Sequence, residues 1–256
     1  GSRLPEPVQV RGYQSDVVGA RAAEWIAAQT RPVFAVVSVE PPHPPYDAPA
    51  AGVRPQAPEE IALGGNVPRG GDVERKARRE LAGYYAHIEA TDRAIGRLVA
   101  GLDAARTVVV VTSVHGDMHG AHGLFRKGWP YEESIRVPLL VRPAHAAVGA
   151  GRTSTALVSL LDLPRWTLAW ASGGAWPAEE SAAQRISMPS VVALPHQCDR
   201  AWRGWRTRTR KLVLNADGTP WLFFDRMRDP FEQHNRATDP GYAEEIVALR
   251  RAGEAS

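Results

Sequence analysis

Cysteine is almost missing from this chain. The single thiol, Cys198, excludes an internal disulfide and any zinc site built from several cysteines. Lysine is nearly as scarce: only Lys76, Lys127 and Lys211 occur, so arginine supplies 28 of the 31 basic residues. Arginine in that excess, beside abundant alanine and proline, points to a GC-rich coding sequence rather than to a nucleic-acid surface. The run Arg75-Lys76-Ala77-Arg78-Arg79 is bracketed by Glu74 and Glu80, as on a solvated helix face, and no nucleic-acid partner is expected. No apolar stretch approaches the roughly 20 residues that span a bilayer, so no membrane partner is expected either. No signal peptide is evident at the start of the sequence, and a soluble, cytoplasmic protein is the expectation.

What is present is ordinary globular material. Hydrophobic residues make up 44% and charged residues 23% of 256, enough to bury a large core. The net charge of +3 mildly favours anionic partners. Val17, Val18, Ala22, Trp25 and Ile26 carry a helical period that Pro32 ends, and Val33 to Val39 reads as a buried strand. The prolines of Pro41-Pro42-His43-Pro44-Pro45 forbid regular structure, and a Pro/Gly-rich loop runs on to about Gly71. A long amphipathic helix is predicted from Asp72 to about Ala104. Thr107 to Thr112 is a β-branched run without alternation, the mark of a strand covered on both faces of a parallel sheet, and Val137 to Val141 reads as another strand. Helix and buried strand in alternation predict an α/β fold with a mostly parallel sheet flanked by helices. Further on, a helical patch spans Thr155 to Trp170 and is open to interruption at Pro164. Lys211 to Leu214 and Trp221 to Phe224 flank an Asn215-Ala216-Asp217-Gly218 turn, predicting an antiparallel hairpin. A last amphipathic helix covers about Pro240 to Arg251. The expected division is an α/β domain over residues 1–190 and a C-terminal antiparallel sheet plus helix over 191–256.

Ligands gather beyond the carboxyl ends of strands in open parallel sheets. Two polar loops leave such ends here: one carries His43, the other runs Ser113-Val114-His115-Gly116-Asp117-Met118-His119-Gly120-Ala121-His122-Gly123 and on to Lys127. These residues resemble the sulfatase family of the alkaline-phosphatase superfamily. Pro42-His43-Pro44-Pro45 matches its Pro-His-x-Pro turn, and Thr112-Ser113-Val114-His115-Gly116-Asp117-Met118 matches its Thr-Ser-Asp-His-Gly-Asp-Met. Tyr131-Glu132-Glu133-Ser134-Ile135-Arg136-Val137-Pro138, the Arg206 to Leu212 strand, Leu222-Phe223-Phe224-Asp225 and Asp229-Pro230-Phe231-Glu232 follow in the family's order. The resemblance implies hydrolysis of a sulfate ester by a formylglycine nucleophile, with calcium neutralising sulfate oxygens and preplaced donors holding the rest. Carried over by position, His43 becomes a sulfate or leaving-group contact, Lys127 a point charge on a sulfate oxygen, and His115 a vestigial metal ligand. Asp117 is left between holding the loop and holding the ion.

The sequence departs from that family in three places. Its early paired aspartates find no counterpart, nor does its Cys/Ser-x-Pro/Ala-x-Arg nucleophile motif. Val114 stands where a metal-ligating aspartate belongs, and a valine side chain offers calcium no oxygen. The expectation is a truncated or degenerate sulfatase-type chain, inactive alone, binding no calcium although the complete family uses it. The alternatives are a non-catalytic module for a sulfate ester or other oxyanion, and a subunit completed by a partner chain that supplies the nucleophile and missing strand. Imidazole also suits zinc, so His115, Asp117, His119 and His122 make a weaker metal candidate.

Overall fold

A computed structural model describes residues 9–144, 151–174, 182–191 and 193–254. The chain divides into two compact units: Gly1–Leu63 with Gly70–Val109, and Gly64–Arg69 with Val110–Ser256.

The first unit is built on two helices, α1 (Gln14–Ala27) and α2 (Asp72–Ala100). Acidic Asp72 and Glu74 in the first turn of α2 and Arg97 in its last turn complement the helix dipole. The pairs Glu74–Arg78 and Glu89–Arg93 lie one turn apart on its surface. Its buried stripe is made of small residues, Ala77, Ala82, Ala86, Ala90 and Ala94, with Leu81. Small side chains let neighbouring backbone come close. Gly83 lies under the Pro-rich loop, where an added Cβ would sit 1.8 Å from the Tyr46 carbonyl oxygen. The two helices are joined by a buried Ser15–Thr91 hydroxyl contact of 3.0 Å and an Asp16–Arg97 ion pair.

The second unit holds all but the first residue of β1 (Val109–Thr112), with β2 (Leu139–Arg142), the single turn α3 (Glu132–Ile135), α4 (Leu163–Ala171), four strands β3 (Gln184–Met188), β4 (Trp202–Arg206), β5 (Arg210–Asn215) and β6 (Pro220–Asp225), and α5 (Ala243–Glu254). Pro164 falls in the first turn of α4, where its missing N–H costs nothing, so it starts this helix instead of interrupting it. Strands β3 to β6 form an antiparallel meander in sequence order, with a register shift at Val213/Leu214. Both faces of this meander are covered. Trp205, Leu212, Leu214 and Phe223 pack with Ile246 and Leu249 of α5 on one side. Trp202, Val213, Leu222, Phe224 and Cys198 pack with Trp129, Tyr131 and Ile135 on the other. Burying each such large side chain contributes roughly 1.5–3 kcal/mol before entropy is counted.

A mostly parallel sheet is not seen among the described residues. The ladders are the β1–β2 pair and the antiparallel meander. The run Val33–Val39 joins no ladder among the described residues, and Phe34 and Val36 are 72% and 79% exposed. The buried strand expected there is therefore corrected: its composition suits a sheet interior, but among the described residues no neighbouring strand pairs with it. Among the described residues, no helix is long and apolar enough to cross a membrane.

Candidate functional site

In the first unit His43 sits in the proline-flanked turn. Its Nδ1 lies 2.9 Å from the Pro44 carbonyl oxygen. A carbonyl only accepts, so Nδ1 carries the proton and Nε2 keeps its lone pair. The Glu40 carboxylate stands 3.9 Å from the same Nδ1. Tyr13, Gln14, Glu40, His43 and His87 contribute to the walls of an open cavity of about 460 Å³. His87 was not singled out by sequence, because it falls on the apolar face of a helix, where a histidine reads as core. It is buried, stacks on Tyr13 and takes the Tyr13 hydroxyl within 2.8 Å of Nδ1. Burial pushes its pKa below the ordinary histidine value, so the ring stays neutral near pH 7.

In the second unit the loop leaving β1 is clamped from inside. Asp117 Oδ1 accepts from the backbone amides of His119 at 3.1 Å and Arg126 at 3.0 Å, and the Met118 amide donates to the Arg126 carbonyl at 2.9 Å. Asp117 thus holds the loop, the first of its two readings. Gly116 is required here, since an added Cβ would lie 1.9 Å from the Glu133 carbonyl oxygen. His115 turns Nδ1 toward the Gly116 carbonyl at 2.8 Å. His122 stacks on Tyr131 at 4.0 Å, and its amide and Nε2 meet the carbonyl and side-chain nitrogen of Asn66. Burial lowers the His122 pKa, with Glu133 opposing. Val114, at the position of the family aspartate, is 85% exposed.

These commitments remove the zinc alternative: among the described residues, no group of three or more His, Cys, Asp or Glu could hold a metal ion. Asp117 is spent on amides, and His122 on Asn66 and Tyr131. At position 114 the valine side chain offers a cation no oxygen, and His115 presents a single imidazole where calcium takes 6–8 oxygens.

Lys127 lies half-buried between Arg126 and Gly128, both at positive φ (66° and 87°). Among the described residues, none holds its ammonium in a hydrogen bond or ion pair. The stretch after it is pinned to the meander. Trp202 Nε1 donates to the Gly128 carbonyl at 2.8 Å and Trp129 Nε1 to the His196 carbonyl at 3.2 Å. Lys211, fully buried on β5, donates to the Pro130 carbonyl at 3.0 Å and pairs with Glu132 at 2.8 Å and Glu232 at 2.6 Å. Arg206 and Arg226 also reach Glu132, each through an Nη2 contact, at 2.9 and 2.8 Å. Burial works against the Glu132 charge, but Lys211, Arg206 and Arg226 outweigh it and hold the carboxyl down to about 2. Glu232 goes the other way: burial raises it and Lys211 only partly compensates. Sequence reasoning missed this cluster, since its charges come from three separate stretches. His43 thus belongs to the first unit, and Lys127 and His115 to the second.

The family model for Sulfatase matches residues 2–174. An ulvan-active sulfatase of Formosa agariphila is 33% identical over 238 residues, which cover 84% of this chain and 46% of that protein. The phosphonate monoester hydrolase of Agrobacterium radiobacter shares the fold, with a TM-score of 0.77 at 22% identity over 95% of this chain and 60% of that one. A protein whose structure is known in complex with its substrate D-glucosamine-2-N,6-O-disulfate aligns with a TM-score of 0.63 at 27% identity over 73% of this chain and 42% of its own. The chain spans about half the length of the curated relatives it matches.

Proposed function

The chain belongs to the sulfatase family, and on that premise we propose that it carries the anion-contact part of a sulfuric-ester hydrolase. Lys127 is the contact for a sulfate oxygen and His43 the leaving-group contact. The observation that carries this reading is the clamped Lys127 loop. Asp117 fixes it from within, Trp202 and Lys211 fix the stretch after it, and the ammonium itself is left for an outside anion. A lysine held this way supplies positive charge without reorganising when the anion arrives. His43, with its proton on Nδ1, presents a nitrogen lone pair at Nε2 or, once protonated, a proton for a leaving oxygen.

The isolated 256-residue chain has little turnover of its own. It shows no counterpart of the nucleophile motif, and the position of the calcium-ligating aspartate is Val114. The side chains of this loop do not fit calcium, and these 256 residues carry no counterpart of the nucleophile motif or of the paired aspartates. The test pairs two measurements on the isolated chain. An aryl sulfate with calcium is expected to give no turnover above background, and substantial turnover overturns the inactivity. Calorimetry is expected to show sulfate binding that Lys127→Ala weakens roughly tenfold, the loss of one charge-assisted contact. Equal affinity in the two proteins removes Lys127 from the reading.

A further inference from the structure

We propose that the tip of the β5–β6 turn is a second anion site, a cradle in which the guanidinium groups of Arg203 and Arg250 share the oxygens of one oxyanion. The site goes beyond the Lys127 reading and does not depend on it. Arg203 stands on β4, opposite Ser187 of β3 and Leu214 of β5, so neither cross-strand neighbour carries an opposing charge. The residue is half-buried, yet among the described residues none holds its guanidinium in a hydrogen bond or ion pair. Arg250 reaches the same place from α5 and is already positioned. Its Nη1 donates to the Gly218 carbonyl at 3.2 Å and its Nε to Glu254 at 3.0 Å, which leaves Nη2.

Gly218 is what lets the two groups meet. Its φ of 86° lies in the left-handed region that glycine enters without strain. A Cβ at this position would lie 3.6 Å from Arg250 Nη2 and 3.8 Å from Arg203 Nη2. Apart from the adjoining Asp217 and Thr219, no other atom of the described residues comes within 4 Å of that point. Two cationic N–H donors thus converge on one open point at little more than hydrogen-bond distance, the arrangement that an oxyanion between two guanidiniums needs. Asp217, the carboxylate of the turn, does not fill that role. Its Oδ1 accepts from the Thr219 amide at 2.8 Å and hydroxyl at 2.7 Å, and among the described residues it pairs with neither arginine. Glu254 balances Arg250, so the charge of Arg203 is the one left for a ligand. An anion seated here relieves the repulsion between the two cations and gains a charge-assisted hydrogen bond from each. A free sulfate ion and a sulfate ester carried on a glycan offer the same oxygens, and the experiment separates these sources.

The test uses the 256-residue chain carrying Lys127→Ala, so that the loop site does not contribute. Inorganic sulfate is titrated at constant ionic strength, and the arginine Nε–H signals are followed by NMR. Those of Arg203 and Arg250 are expected to shift together along one saturable curve. Arg203→Gln is expected to weaken the binding roughly tenfold, the loss of one charge-assisted contact. Arg228→Gln removes an equal charge from a side chain that is 82% exposed beyond β6, and is expected to leave the binding unchanged. Gly218→Asn keeps both arginines and fills the point between them with a residue type that tolerates positive φ; it should weaken binding by a similar factor. Circular dichroism and melting confirm that each variant folds. A sulfated oligosaccharide is titrated beside its desulfated counterpart. Tighter binding of the sulfated chain than of inorganic sulfate assigns the cradle to a glycan ester, and equal binding assigns it to the free ion. Shifts that never saturate overturn the proposal, as does an Arg203→Gln protein that binds as well as Arg228→Gln, or undiminished binding by Gly218→Asn. Sulfate binding at Lys127, measured by comparing the chain with and without Lys127→Ala, reports separately on the functional reading.

Discussion

Lys211→Met removes one charge from the cluster beneath the Lys127 loop while keeping an unbranched side chain of similar length. The ammonium is fully buried and serves three partners: the Pro130 carbonyl, Glu132 and Glu232. Removing one member of a buried pair costs about 3–5 kcal/mol, because the remaining charge keeps its desolvation cost without its partner. Here Glu132 retains Arg206 and Arg226, so the loss falls mainly on Glu232, which keeps Arg226 at 3.3 Å as its cation and the Glu132 backbone amide at 3.2 Å. That puts the expected cost at the lower end, about 3 kcal/mol. For a unit of this size, about 2–4 °C of melting temperature go with each kcal/mol, so Tm falls by about 6–12 °C. Urea denaturation followed by tryptophan fluorescence should show a lower midpoint at unchanged slope. The pH profile carries a second signature. The Glu132 carboxyl is depressed, so its contribution is present above the unfolded carboxylate range and is lost as pH falls from about 4.5 toward 2. The Glu232 carboxyl is raised, so its contribution is present at low pH and is lost as pH rises through the folded value. Removing Lys211 raises Glu232 further, and the variant's deficit should therefore grow as pH rises above the ordinary carboxylate range. Lys211→Met/Glu232→Gln should recover part of the loss, since the stranded charge is gone. A Tm change below about 2 °C with an unaltered pH profile would refute the reasoning, because uncoupled charges are the only way to lose Lys211 so cheaply.

Gly83→Ala should destabilise the first unit by about 1–3 kcal/mol, since the new methyl group overlaps the Tyr46 carbonyl and the Pro-rich loop must lift; limited proteolysis within residues 41–70 should accelerate. Val114→Asp changes a surface position and should shift stability by no more than about 0.5 kcal/mol, with aryl-sulfate turnover still absent because one carboxylate restores neither nucleophile nor metal site. The His122 ring should titrate below the usual histidine range by NMR. Its folded pKa is lowered, so it adds stability that is present above that range and is lost as pH falls through it; a normal titration would contradict its burial against Tyr131 and Asn66.

Local patterns in the chain were enough for its helices and its hairpin. The period of Leu81, Tyr84 and Ile88 announced α2, although Tyr85 and Ile88 end up exposed on its outer side. The Asn215–Gly218 turn between two apolar runs announced β5 and β6. Trp205 packs in the cluster on one face of the meander and Trp202 and Trp221 in the cluster on the other, contacts that local pattern does not specify. The order of short motifs, from Pro42-His43 through Val114-His115 to Asp229-Pro230, was sufficient to name the family, because each motif is a few adjacent residues. Composition misled at Val33–Val39: a β-branched run states what environment a strand suits, not whether a neighbour is present to provide it.

The amino-acid sequence alone determined the kinds of local element and the chemistry on offer, a histidine between prolines and a lysine in an arginine-rich chain. Tertiary structure alone decided the roles. It spent Asp117 on two amides, set His87 beside His43 on one cavity, and buried Lys211 between Glu132 and Glu232. The reason lies in range. Helical period, turn chemistry and capping arise within a few residues, whereas Lys211 meets Pro130 across 81 positions and Arg206 meets Glu132 across 74. Whether a charge is buried, paired or free depends on which distant segments pack around it.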